Sequence, residues 1–242
     1  MSLRALAIAA TGSRALLQQI DLIAGNLSHA TSVGYKRSRA SFADLLDRSG
    51  VRLQSTSRMF DAGKLQATQR DLDLAVEGEG FLRVLLPDRS VAFTRAGNLS
   101  LDPDGNLSSA DGYLVDPPIA VPPGYTKLTI DSTGLVQGVY PDADEPQELG
   151  QIELTKFQNP TGLESAGGTL FRATEAAGER IDGQPGQDFG AIRQGHLEQS
   201  NVDPLRELAD LIQAQRAFEL NNRVMQAADE ILQSVNNLRR KS

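Results

Sequence analysis

The chain has 242 residues, no cysteine, two histidines and a net charge of −7. That charge leaves no basic stripe for nucleic-acid phosphates, and the missing thiols exclude disulfides and thiolate metal sites. No run approaches the roughly 18 apolar residues of a membrane span, and the length suits one large or two modest domains.

The first thirty residues predict a helix. Leu6, Ser13, Ile20, Leu27 and Ala9, Leu16, Ile23, Ala30 each recur every seven residues, and a sustained seven-residue repeat marks a seam for another helix. Arg14, Gln18, Gln19 and Asp21 break the apolar run, so the segment lacks the continuous apolar stretch of a secretory signal. Residues 26–36 end the helix, because Ser, Thr and Asn compete for backbone hydrogen bonds and Gly34 supplies a left-handed turn. A short helix is expected over 41–46, carrying Phe42, Leu45 and Leu46. Residues 47–71 read as an extended polar linker that docks through sparse anchors, Val51, Leu53, Met59 and Phe60.

The middle, 72–200, reads as a β-domain. Runs at 73–76, 80–86, 91–95, 99–101, 127–130, 135–140 and 151–157 are strand-like and separated by Gly, Pro and Asp turns, which argues for an antiparallel sheet or open barrel. Residues 174–190 read as a long exposed loop, and 191–200 as a last strand.

Asp203 and Pro204 then start a helix, as N-cap and first helical residue. Beyond them no Gly or Pro interrupts the chain. Leu211, Phe218, Met225, Leu232 form one column of sevens and Ala217, Val224, Ile231, Leu238 a second; Ala214, Asn221, Ala228, Val235 form a third, small and partly polar. The charged residues between them read as a solvated face. At about 1.5 Å per residue this helix is roughly 50 Å long and needs partners. The fold class expected from these elements is α+β: long N- and C-terminal helices forming a coiled-coil-like helical domain from 1–46 and 201–242, with a central antiparallel all-β domain.

Catalytic chemistry finds little support. His29 and His196 show no ligand or triad spacing. Asp102-Pro103-Asp104-Gly105-Asn106 lacks the later Glu of a calcium loop, and a turn explains it. Glu77 and Glu79 are spaced for one strand face and nothing organises them. No catalytic, cofactor or metal residue is assigned.

Several stretches carry a family likeness. Residues 24–37, with Asn26, Leu27, Thr31, Gly34, Tyr35 and Lys36, resemble the N-terminal signature of bacterial flagellar basal-body rod and hook proteins. Residues 72–81, 93–99 and 198–203, the last containing Ser200, Asn201 and Val202, resemble further family motifs, and 210–219 is similar to its C-terminal signature. Gly25 and His29 stand where the family usually has Asn. A single β-domain of this size resembles the distal rod branch. Against that branch, it usually carries a longer insertion before the first strand, so the proximal branch stays an alternative.

The resemblance implies a structural subunit, polymerising helically into a hollow torque-transmitting shaft. Its implied partners are copies of itself, other rod and hook proteins and the flagellar type III export apparatus, which uses no cleaved signal; its implied place is the basal body. Expected polymerisation seams are Leu6, Leu16, Ile20, Ile23, Leu27, Leu211, Phe218, Val224, Met225, Ile231, Leu232 and Leu238. Two other readings remain open, a secreted binding module oligomerised by a coiled coil, and an envelope hydrolase using Glu77 and Glu79.

Overall fold

The computed structural model describes residues 2–45, 50–141, 145–186 and 188–241. Two α-helices stand among them, α1 (Ser2–Ser28) and α2 (Pro204–Lys241), one at each end, and the chain between is mostly β. The described residues divide into two compact units.

The terminal unit comprises Met1–Ala30, Ser38–Met59 and Val202–Ser242. The expected coiled-coil-like helical domain is overturned here: among the described residues there are only the two α-helices, one at each end, and β1 (Ser38–Leu45) and β2 (Gly50–Arg58) form an antiparallel ribbon beside them. The short helix expected over 41–46 is strand as far as Leu45; residues 46–49 lie outside the described residues. A helix that short has almost no hydrogen bonds to offset its nucleation, whereas pairing from Ser38 opposite Arg58 to Leu45 opposite Gly50 satisfies the backbone, with one irregularity at Ser41 and Phe42. The signal for β2 was weak, since only Val51 and Leu53 alternate with polar residues before 54–58 turns wholly polar.

The helices run antiparallel. Asn221 Nδ2 donates to Ala9 O at 2.8 Å and Ser13 Oγ at 3.0 Å, while Asn26 at the other end of α1 donates to Glu207 Oε2 at 3.3 Å. α2 starts as expected, with Asp203 Oδ1 accepting from the N–H groups of Leu205 and Arg206 at 3.0 and 3.3 Å.

The β-rich unit comprises Thr31–Arg37 and Phe60–Asn201. Its strands in chain order are β3 (Leu65–Ala67), β4 (Leu74–Glu77), β5 (Phe81–Leu85), β6 (Val91–Thr94), β7 (Leu99–Leu101), β8 (Leu107–Ser109) and β9 (Leu114–Val115). They continue as β10 (Lys127–Ile130), β11 (Leu135–Val139), β12 (Gln147–Gln151), β13 (Leu154–Phe157), β14 (Glu164–Gly167), β15 (Leu170–Arg172), β16 (Arg180–Gly183), β17 (Ala191–Gln194) and β18 (His196–Glu198). Every recorded pairing is antiparallel. A nine-stranded sheet runs β14-β15-β6-β5-β9-β8-β7, with β13 bridging β5 and β16. β10-β11-β12 is a separate sheet, and β4 with β17 and β3 with β18 make two-stranded pairs that bring 65–77 beside 191–198. The expected loop at 174–190 contains β16, whose partner β13 is recruited by backbone pairing from Leu154 with Gly183 to Phe157 with Arg180.

Two apolar clusters fill the unit. The larger gathers Leu74, Leu107, Leu128, Val136, Ile152 and Leu154, each at most 1% exposed. The second is aromatic: Phe93 and Phe157 rings stand 4.8 Å apart edge to face, with Phe81 and Phe171 beside them.

Candidate functional site

Parts of four of the five stretches that carry the family likeness, 31–37, 72–81, 93–99 and 198–201, converge inside the β-rich unit. Lys36 and Glu198 are both 1% exposed and paired at 2.7 Å. Lys36 Nζ also donates to Asp61 O at 2.7 Å, and Gly63 N donates to the same Glu198 oxygen at 2.8 Å. Glu198 Oε2 faces Arg95 Nη1 at 3.5 Å, and Arg95 donates onward to Val76 O and Gly78 O at 3.1 and 2.7 Å. Burial pushes the Lys36 ammonium and the Arg95 guanidinium below their ordinary values, while the Glu198 carboxylate partly restores each. Gly34 sits beneath this cluster at φ 66°, its N–H donating to Glu198 O at 2.7 Å. A Cβ there would lie 2.4 Å from Ala96 N, so only glycine fits. Asn201 closes the arrangement: its Oδ1 accepts from Arg37 N at 2.7 Å and its Nδ2 donates to Asp61 O at 3.1 Å. Tyr35 is buried at 4%, and Thr31 is exposed.

In the terminal unit Asn26 and Val202 are buried and Leu27 is half-buried. Of the expected seam residues, Ile23 is buried and Leu16, Ile20, Leu211, Phe218 and Met225 are half-buried. The side chains of Leu6, Leu232, Leu238, Val51 and Leu53 lie outside the described residues. The two apolar columns of α2 part company. Positions 207, 214 and 221 share the side toward α1, through Glu207, buried Ala214 and Asn221, and the first column adjoins them. Val224 and Ile231 are instead 57% and 61% exposed. Leu205, Leu208, Ile212 and Leu220 are exposed as well. At 3.6 residues per turn Leu205, Leu208 and Ile212 lie about 100–160° to one side of the α1 face, and Leu220, Val224 and Ile231 about 60–100° to its other side.

So α2 meets α1 through small and polar groups, flanked by the half-buried Leu211, Phe218 and Met225, and leaves its other described large apolar side chains exposed on both flanks. Gly12 allows the approach, since a Cβ on it would lie 3.1 Å from Asn221 Nδ2. The sequence reading missed Leu205, Leu208, Ile212 and Leu220, which occur at spacings of three, four and eight but outside the columns of sevens. Phe60, read as an anchor for a neighbour, packs within its own chain, 5.3 Å from the Phe81 ring and 5.1 Å from Phe171. Met59 is half-buried.

Nothing here resembles a reaction centre. Glu77 pairs with Arg193 at 2.6 Å and Glu79 with Lys156 at 3.2 Å, each on the surface with its own cation. Asp102 Oδ1 accepts from the backbone N–H groups of Asp104 and Asn106, which is a turn. Arg83 holds Asp116, Glu153 and Asp182 at 2.9, 2.8 and 3.1 Å, clamping β5, β13 and β16 together. Among the described residues no group of three or more acidic, His or Cys side chains is placed to hold a metal ion, and no helix is long and apolar enough to cross a membrane.

Two family models match the chain. One, the flagellar basal body rod FlgEFG protein C-terminal, covers 193–238, and the other, the flagellar hook protein FlgE/F/G D1 domain, covers 75–138. The flagellar basal-body rod protein FlgG of Borreliella burgdorferi is 38% identical over 98% of this chain and 99% of its own. FlgG of Caulobacter vibrioides is 38% identical over 98% of this chain and 100% of its own. The chain belongs to the flagellar basal-body rod protein family. FlgG of Buchnera aphidicola from Schizaphis graminum, 35% identical over 96% of this chain and 98% of its own, agrees. The FlgG likeness makes the protein a structural subunit of the basal-body rod and not an enzyme.

Proposed function

We propose that this rod protein polymerises helically in the distal part of the rod, as a hollow shaft carrying torque from motor to hook. The observation that carries the reading is the set of large apolar side chains that α1 leaves exposed on the two flanks of α2, Leu205, Leu208 and Ile212 on one and Leu220, Val224 and Ile231 on the other. Covering such a side chain contributes about 1.5–3 kcal/mol before ordering costs. The occupant is a second copy of this chain, because the relatives named above are rod proteins and α1 carries an exposed apolar position of its own, Leu17 at 46%. Other rod and hook proteins meet the ends of the polymer, and the subunit reaches it through the flagellar type III export apparatus. The ribbon segment, with Val51, Leu53 and Met59, braces neighbouring copies.

The test is an epitope-labelled full chain expressed in place of the native rod protein, followed by microscopy of isolated basal bodies. Label confined to the distal rod supports the reading. Label in the proximal rod, or in a closed soluble oligomer, overturns it.

A further inference from the structure

We propose that Glu198 is a positioning residue that ties into one joint the three segments by which the chain enters and leaves the β-rich unit. Those segments are 31–37, 60–64 and 195–201, since the units exchange chain after residues 30, 37, 59 and 201. Glu198 touches each. Its backbone oxygen accepts from Gly34 N at 2.7 Å, and its Oε1 accepts from Lys36 Nζ at 2.7 Å in the first segment. The same Oε1 accepts from Gly63 N at 2.8 Å in the second. Gln199 N donates to Lys64 O at 2.9 Å, which adds a backbone tie next door. The joint is anchored to the sheet through Arg95, whose guanidinium lies 3.5 Å from Glu198 Oε2 and donates to Val76 O.

The chemistry makes the tie cooperative. Removing the carboxylate takes from two buried cations their largest counter-charge, leaving Lys36 only the weaker pull of Asp61 and Arg95 that of Glu79, and such groups are expelled or rehydrated by opening the segments that carry them. A cavity elsewhere in the unit has no such route to these segments. In the rod reading, on which this extension rests, the joint is where load passing along the chain enters the β-rich unit.

Hydrogen exchange on the purified full chain tests it. Glu198→Gln is expected to lower protection about tenfold or more in all three segments together. The control Ile119→Ala, in the larger apolar cluster, is expected to leave them protected. Adding Lys36→Met to Glu198→Gln should recover part of the loss by deleting one of the two buried cations. If Glu198→Gln does not fold, Lys36→Met alone keeps the Glu198–Arg95 pair and gives the same reading, with joint loss over 31–37 and 60–64 expected. Opening of one segment while the others keep their protection overturns the proposal. The measurement uses the free subunit, so failure of the wild-type chain to enter rods would contradict the functional reading and leave the exchange result standing.

Discussion

Asn26 and Ser38 exchange two hydrogen bonds: Ser38 N donates to Asn26 Oδ1 at 2.8 Å, and Asn26 Nδ2 donates to Ser38 O at 2.9 Å. A side chain of α1 thereby completes the first rung of the β1–β2 ribbon as a neighbouring strand would. The same amide reaches Glu207 Oε2 on α2 at 3.3 Å, so helix, ribbon and helix meet at one residue.

Asn26→Ala strands the buried backbone groups of Ser38, which costs about 1–3 kcal/mol for each group left unsatisfied. Denaturant unfolding of the free subunit is expected to show that loss, with ribbon amides exchanging first. Stability within about 0.5 kcal/mol of wild type, the range of a neutral surface change, would remove Asn26 as the pin.

Phe60 gives a second test, because it packs edge to face on Phe81 and Phe171 without any neighbour. Phe60→Ala should cost the free subunit about 2–3 kcal/mol, somewhat less than a fully buried phenylalanine. An unchanged thermal midpoint would return Phe60 to the role of an anchor used only on assembly.

Acid sensitivity follows from the turns. Hydrogen bonds from Asn106 hold the Asp102 carboxyl below its ordinary value. Burial pushes the Asp131 carboxyl up, but donors from Thr133, Leu135 and Gly134 outweigh it and the net shift is downward. A depressed folded-state value means these groups stabilise the β-rich unit fully above the unfolded value of about 3.9 and lose that contribution as pH falls through the folded value. Thermal midpoints of wild type should therefore drop more steeply below about pH 4 than those of Asp102→Asn with Asp131→Asn. Parallel curves for the two proteins would contradict the assignment.

Much of the β-rich unit was legible because its strands obey a local rule: alternation bounded by turns rich in Asp, Gly and Pro, as at 127–139 around Asp131 and Gly134. The helix ends were legible for the same reason, through Asp203 and Gly34. What escaped depended on tertiary pairing. Residues 41–45 look helical alone and become strand only because 50–58 lies opposite. The seven-residue columns of α2 located its interfaces without ranking them, and the small polar column with Asn221 took the intrachain side that the large residues seemed to claim. Lys36 and Glu198 were each within quoted motifs, yet 162 positions of separation hid their pairing.

The most direct test of assembly through the exposed apolar side chains of α2 is electron microscopy of the purified full chain beside Leu220→Asp with Val224→Asp. These side chains are 61% and 57% exposed in the subunit, so the change should leave its unfolding transition unaltered. Wild type should form straight open-ended filaments, while the variant stays monomeric because a buried unpaired carboxylate is strongly unfavourable at the contact. Filaments of normal length and straightness from the variant would contradict assembly through this face.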